Sequence, residues 1–346
     1  MKREFALDRR SFLKSAGIAG TAALFAGGVS ARTAEPFRVA VLGCGARGRM
    51  LVSALRGLGA EIVVAADPHA DAPEGVPMVR DWRAAAETKG VEGVVVALPD
   101  HLHAPAALAA LAAGKHVFIE TPMAVNSRES AEIQAAARRA GKTVQVAAHA
   151  AADPAWRLAL GLARAGEIGP AGWCHSVAAE STRGGGGADG WRWRGDCSPG
   201  PAARLHFEQA AAFAALTEGE PLRVSSASGR WNCACATPDS LISTLEYGNG
   251  VTLHLTSAPS NPTGNRPVIR GEKGCLEIYP DAVVLSRYDG VETRMPAPVL
   301  ESPETVLLRD WMDAARTGAP TLCGADRGHA AVLAMEHSLA GAARTC

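Results

Sequence analysis

The sequence predicts an α/β protein of two domains, a parallel sheet followed by a second α/β domain with a largely antiparallel, open-faced sheet. Three observations carry that prediction. Between residues 36 and 150, short apolar runs rich in valine and alanine alternate with apolar helical stretches, the βαβα rhythm of a sheet covered on both faces. Beyond residue 220 the pattern changes to alternating strands joined by turn residues. At 346 residues, 47% hydrophobic and 20% charged, the chain is too long for one average domain and apolar enough to fill two cores.

The first thirty residues read as an address. Asp8-Arg9-Arg10-Ser11-Phe12-Leu13-Lys14 precedes a weakly apolar, Gly/Ala-rich run and then Val29-Ser30-Ala31. Paired arginines, a modest hydrophobic run and small residues resemble a twin-arginine export signal, with Asp8 where Ser or Thr is usual. A membrane anchor is the alternative, but glycines at 17, 20, 27 and 28 weaken a spanning helix. Residues 1–31 are therefore expected to be removed and the mature chain to reach the periplasm or an equivalent compartment, with no stable membrane span. The twin-arginine route carries folded cargo, which suits a protein that must take up a cytosolic cofactor before export.

Residues 37–42 form a buried-strand pattern that runs into Gly43-Cys44-Gly45-Ala46-Arg47-Gly48 and then an apolar helix over 50–58. A GxGxxG alone is weak, but here it has the strand before it and the helix after it. Gly43 permits the tight turn, Gly45 lets the backbone approach a pyrophosphate, and Gly48 lets helix and strand pack closely. The open N–H groups of the helix N-terminus then face the phosphates. A second strand, 61–66, ends at Asp67, whose carboxylate can accept hydrogen bonds from the adenosine ribose and repel a 2′-phosphate. That favours NAD over NADP. Asp67 could instead serve as a helix N-cap or turn residue.

The strand at 93–98 stops at Pro99-Asp100-His101-Leu102-His103, and an Ala-rich helix follows to Gly114. Lys115-His116-Val117-Phe118-Ile119 then leads into Glu120-Thr121-Pro122. Ser127 caps a helix closed by Gly141, and 143–148 is a further strand. Ligands of such sheets sit beyond the strands' C-terminal ends. The cofactor-binding set is accordingly Gly43 to Gly48, Asp67, Leu98, Pro99, His101, His103, Glu120 and Thr121.

Residues 97–105 and 114–117, with Glu120-Thr121-Pro122, resemble the N-terminal half of the Gfo/Idh/MocA oxidoreductases. The resemblance extends through Gly166-Glu167-Ile168-Gly169, Gly219-Glu220-Pro221, Tyr247-Gly248-Asn249-Gly250 and Gly271-Glu272-Lys273-Gly274. It implies a dinucleotide-binding domain over 36–150 and a substrate and oligomerisation domain over 151–346. It also implies a sugar- or polyol-like substrate and a homo-oligomer built on the open sheet face. Strands at 222–231, 240–247, 251–257 and within 268–288 agree, with Asn249-Gly250 as a hairpin turn. Amphipathic helices over 305–315 and 325–343 can pack back on the first domain. The glycine run 184–187 reads as a mobile loop near the site.

The departures fall on the chemistry. The lysine that the resemblance places after Glu120 is Thr121, and an ungapped alignment puts the family's Asp and His on Leu205 and Gln209. None of these three side chains takes a proton near neutral pH. His206, His103 and His149 are the candidate substitutes. His206 comes first because it adjoins the lost site, and Glu208 flanks the same position. Each histidine also fits a structural role: His103 as a loop residue, His149 at a strand end, His206 in the core.

Three functions remain open on these residues: an NAD-dependent sugar or polyol oxidoreductase with a rearranged base, an NAD-dependent glycosidase holding its cofactor permanently, and a non-catalytic binding protein. Thirty-five basic residues balance thirty-five acidic ones, which gives no electrostatic case for nucleic acid. Eight scattered cysteines without a CxxC pair argue against a zinc cluster, and an HxH metal site at His101 and His103 has no third ligand. One or two disulfides remain compatible with export.

Overall fold

The computed structural model describes residues 35–179, 190–230, 237–258 and 266–343. The expected leader, the glycine run 184–187, Cys233, Cys235 and Cys346 lie outside them.

The first sheet is parallel throughout, in the order β3-β2-β1-β4-β5-β6. Its strands are β1 (Arg38–Leu42), β2 (Glu61–Ala66), β3 (Met78–Val79), β4 (Gly93–Val96), β5 (His116–Ile119) and β6 (Val144–Val146). β4 is buried along its whole length, as expected where helices cover both faces. The strand order reverses between β1 and β4, so their C-terminal ends open a crevice between two loops that run in opposite directions. The two-residue edge strand β3 had no signal of its own in the sequence.

The second sheet has the order β14-β13-β12-β11-β7-β10-β9-β8. It comprises β7 (Ala171–Ala179), β8 (Pro221–Gly229), β9 (Ser240–Tyr247), β10 (Thr252–Ala258), β11 (Val268–Gly271), β12 (Gly274–Tyr279), β13 (Ala282–Arg287) and β14 (Glu292–Pro296). All neighbours are antiparallel except β7 and β10. Asn249 and Gly250 make the β9–β10 turn, with Gly250 at φ +85°. β7, an interior strand, and β14 escaped the sequence reading.

Side chains of β7 alternate cleanly. Cys174 and Ser176 point to a face covered by helices Pro201–Phe213 and Ala325–Ala343. Trp173 and His175 point the other way, where Trp173 stacks on His175 at 5.6 Å and meets His254 of β10 at 5.3 Å. Cys44, Cys174, Cys197, Cys275 and Cys323 are free thiols. No helix among the described residues is long and apolar enough to cross a membrane.

Helix Pro303–Thr317 packs back on the first sheet. Its Trp311 is fully buried between Phe37 and Phe118, at centroid distances of 5.3 and 5.8 Å. A methyl group at Gly93 would sit 2.6 Å from the Trp311 ring, so the strand and the helix approach closely only because that position is glycine. Asn126, rather than Ser127, caps helix Ser127–Ala140 by accepting from the Glu129 amide, because Ser127 already has helical geometry.

Candidate functional site

A cleft of about 390 Å³ opens over the C-terminal ends of β1, β4 and β5 and reaches the start of helix Pro201–Phe213. At its nucleotide end lies the glycine loop. Gly43 has φ +95°, and a side chain there would meet the Ala97 carbonyl oxygen at 2.2 Å. A methyl at Gly48 would come within 1.9 Å of the Gly43 carbonyl oxygen, so the loop closes on itself only with glycine at both positions. Gly45 has open space above it and caps helix Ala46–Gly57 without any side-chain cap. The first-turn amides therefore keep their donors for an incoming group, and a pyrophosphate fits that cradle.

Asp67 braces the loop. One carboxylate oxygen accepts from the Cys44 amide at 2.8 Å, and the other from His69 and Ala70 at 2.8 and 2.7 Å. Burial pulls its pKa up, but the three backbone donors outweigh that and hold it below the ordinary carboxylate value. Burial likewise raises the Cys44 thiol, with Asp67 adding to the effect. Cys44 is thus an inert packing residue of the loop.

Arg47 spans the cleft. Its Nε reaches Glu120 at 2.8 Å, its Nη1 reaches Glu304 at 2.6 Å, and its Nη2 lies 2.6 Å from His149 Nε2. Burial works against the charged guanidinium, but the two carboxylates raise its pKa overall. Leu98 lines the cleft with Glu120 and Thr121. His101 turns aside, its backbone amide and Nδ1 both facing the Cys197 carbonyl oxygen at 3.0 and 3.3 Å. Pro99 starts the turn that carries it. These two do not line the cleft.

The three candidate bases separate sharply. His206 is fully buried, its ring between Ser257 Oγ at 3.0 Å and Ser243 Oγ at 2.5 Å, and burial pushes its pKa down to about 3. It packs helix to sheet and does not reach the cleft, which corrects its ranking as first-choice base. Gln209 is also turned inward, donating to Thr256 O, Leu205 O and Ser257 Oγ. His103 touches the cleft, but its two ring nitrogens face the Pro122 and Leu98 carbonyl oxygens at 2.7 and 2.8 Å. Neither nitrogen is turned to a substrate. His149 begins a short helix rather than ending a strand, and its ring is 43% exposed in the cleft.

Helix geometry explains the misplacement. Residues advance by about 100° each, so 206, 209 and 213 share one face of Pro201–Phe213 while 204 and 208 share the other. The sheet claims the first face. Arg204 lines the cleft, and Glu208 Oε1 accepts from the Thr121 hydroxyl at 2.8 Å while its Oε2 accepts from the His149 amide at 3.1 Å. The residue that meets Thr121 is thus Glu208, with Arg204 on the same helix face, one position before the pair chosen by ungapped alignment; Leu205 also lines the cleft.

Sequence reasoning also missed the far wall, where Trp191, Arg192, Trp193, Ser198 and Asp239 line the cleft. Arg192 lies over the Trp191 ring at 4.6 Å. Asp100 is almost fully buried and accepts from Ser198 Oγ at 2.6 Å; burial pushes its carboxyl above the ordinary value against the pull of His103, Ser198, Arg192 and Arg204. Tryptophans beside polar side chains are the one signal of this wall in the sequence.

A doubly wound sheet with a glycine cradle, beside an open-faced sheet, is the fold of a dinucleotide-binding protein. Residues 37–148 match the family model described as "Oxidoreductase family, NAD-binding Rossmann fold". That stretch, less than half of the chain, is similar to the NAD-binding domain of the Gfo/Idh/MocA oxidoreductases. Over 327 residues it is 27% identical to inositol 2-dehydrogenase 2 of Saccharopolyspora erythraea, covering 87% of this chain and 93% of that protein. It is 30% identical over 172 residues to a 1-carboxy-3-chloro-3,4-dihydroxycyclo hexa-1,5-diene dehydrogenase of Comamonas testosteroni, but that match spans 48% of this chain and only 42% of the relative's length. Among solved structures, an aldose-aldose oxidoreductase from Caulobacter crescentus complexed with glycerol superposes with a TM-score of 0.77 at 21% identity, covering 90% of this chain and 99% of that one. An inositol dehydrogenase homolog complexed with NAD+ from Azotobacter vinelandii gives 0.77 at 18% identity, covering 90% and 96%. At such identities the structural likeness establishes the fold.

Proposed function

We propose that this protein is an NAD-dependent oxidoreductase acting on a sugar, a polyol or a derivative of one. The observation that carries the reading is a single cleft running from Arg47 of the glycine loop to a wall of Trp191, Trp193, Asp239 and the arginines 192 and 204. Aromatic faces suit the C–H surfaces of a carbohydrate ring, and the charged groups suit its hydroxyls. Relatives named for inositol and aldose chemistry support the substrate class.

Bound NAD+ supplies the hydride acceptor. The cradle amides and Asp67 hold its adenosine half, with Asp67 selecting against a 2′-phosphate. Arg47, anchored by Glu120 and Glu304, borders the nucleotide site. The far wall positions the reacting carbon, and the tryptophans limit access of water.

Export by the twin-arginine route and assembly through the open face around Trp173 and Ile242 belong to the same reading. Arg9-Arg10 with Phe12-Leu13-Lys14 supports the first. The exposed apolar Ile242 on that face supports the second.

The direct test incubates purified protein with NAD+ and a panel of sugars, polyols and their acids, following NADH formation. Reduction by at least one of them is expected. Glycoside cleavage with no net NADH would replace the dehydrogenase reading with internally recycled redox chemistry, and NAD binding without turnover of any compound would leave a binding protein.

A further inference from the structure

The lost lysine, aspartate and histidine leave the question of where a substrate hydroxyl sends its proton. We propose that Thr121 and Glu208 form a proton relay, the Thr121 hydroxyl taking the substrate's proton as it passes its own to Glu208 Oε1. The inference rests on the oxidoreductase reading above.

Thr121 lines the cleft and donates to Glu208 Oε1 at 2.8 Å. Glu208 does not line the cleft itself, so it reaches a substrate only through that hydroxyl. Its second oxygen accepts from the His149 backbone amide at 3.1 Å, which fixes the carboxylate in place. A threonine hydroxyl cannot act as a base alone, since taking the substrate's proton without passing on its own would leave an oxonium ion. With a carboxylate behind it, one O–H bond breaks as the next forms, and Thr121 remains neutral throughout.

Two of the three histidines have both ring nitrogens engaged, and the third has one nitrogen against a cation. His206 faces the sheet, His103 faces two carbonyl oxygens, and the Nε2 of His149 faces the Arg47 guanidinium. In the oxidation direction the substrate C–H bond yields a hydride to NAD+ and its O–H bond yields a proton to Thr121. A carbonyl forms, NADH is released, and Glu208 ends protonated. That proton returns to water between turnovers, and reduction runs the same path backwards.

The experiment compares Thr121→Val, Thr121→Ser, Glu208→Gln and the Val/Gln double variant on a substrate found in the NADH assay. Thr121→Val and Glu208→Gln are each expected to lower kcat by about 10²-fold or more, within the range for a positioned base. The double variant should lose little beyond either single one, because the two groups act as a unit. Thr121→Ser should restore most of the rate, and Glu208→Gln should abolish the acid limb of the kcat/KM profile. A Thr121→Val enzyme that keeps wild-type kcat, or losses that multiply in the double variant, overturns the relay.

A second readout needs no turnover. In protein labelled with 13C at glutamate side chains, the resonance missing from Glu208→Gln identifies residue 208. It should report a carboxylate at neutral pH and move in Thr121→Val; a carboxylic acid there, or no response to the valine, overturns the relay. Wild-type protein that reduces NAD+ with no compound in the panel instead counts against the oxidoreductase reading, while turnover surviving Thr121→Val counts against the relay alone.

Discussion

Arg47 and Glu304, 257 positions apart, meet at 2.6 Å across the mouth of the nucleotide cleft. One follows the second glycine of the loop, and the other begins a helix of the last segment. Burial alone would raise the Glu304 pKa, but the Arg47 hydrogen bond, a local backbone donor and attraction to Arg47 and His149 bring it below its ordinary 4.5. A depressed carboxylate contributes stability that is present above the unfolded pKa and lost as pH falls through the folded one. Glu304→Gln should therefore cost about 1–3 kcal/mol near neutral pH, the usual loss for a hydrogen bond to a charged group. The same change should flatten the fall in melting temperature below about pH 4.5. Melting curves across that range check it; an unchanged acid limb contradicts the assignment.

Asp67 does two jobs, and two variants grade them. Asp67→Asn keeps one of the two acceptor oxygens and loses the charge, so it should weaken NAD binding by about 1–3 kcal/mol and narrow the preference over NADP. Asp67→Ala removes both acceptors, frees the Cys44, His69 and Ala70 amides together and should lower the melting temperature further. Titration calorimetry with both cofactors, beside thermal melts, distinguishes the effects. Stronger binding of NADP than NAD by the unmodified protein would refute the selectivity.

His206 tests the corrected placement. Its pKa of about 3 lies below the ordinary 6.5, so the unfolded chain binds the extra proton between those values. Stability should be fully present above about pH 6.5 and decline as pH falls toward about 3, by on the order of a few kcal/mol. His206→Gln should flatten that slope and cost about 1–3 kcal/mol at neutral pH, yet leave NAD affinity and kcat close to wild type. A large loss of kcat in a folded variant would restore His206 to the chemistry.

Most of the strands, the glycine loop and the position of Asp67 were legible because each is a local pattern: a run of valines, a spacing, an acid at a strand end; the hold of Asp67 on the Cys44 amide was not. The chemistry was not. A helix written in sequence shows which residues repeat but not which face the sheet takes, and a shift of one residue turned Arg204 and Glu208 into Leu205 and Gln209. β7 reads as Ala-Gly-Trp-Cys-His-Ser-Val-Ala-Ala, and with Val177 as its one β-branched residue it does not announce an interior strand. Glu304 could be found only in three dimensions, since nothing near it in the chain suggests a nucleotide site.

Trp311→Ala should be the most destabilising of these changes. The indole is fully buried against Phe37 and Phe118, and removing such a ring costs about 3–5 kcal/mol. Glu304 rides on the same helix, so NAD affinity should fall along with the denaturation midpoint. Urea titration and NAD binding measured on the same preparation check the coupling; loss of one without the other breaks it.

The position of Trp311 also sets a timetable. Phe37, just before β1, and Phe118 of β5 leave the ribosome early, while the ring that completes their packing is made about 190 residues after the second of them, at the usual 5–20 residues per second. Throughout that interval one face of the first sheet has helix Ala46–Gly57 as its only early cover among the elements of that cluster up to Phe118. The sheet completes its packing only once helix Pro303–Thr317 has been made.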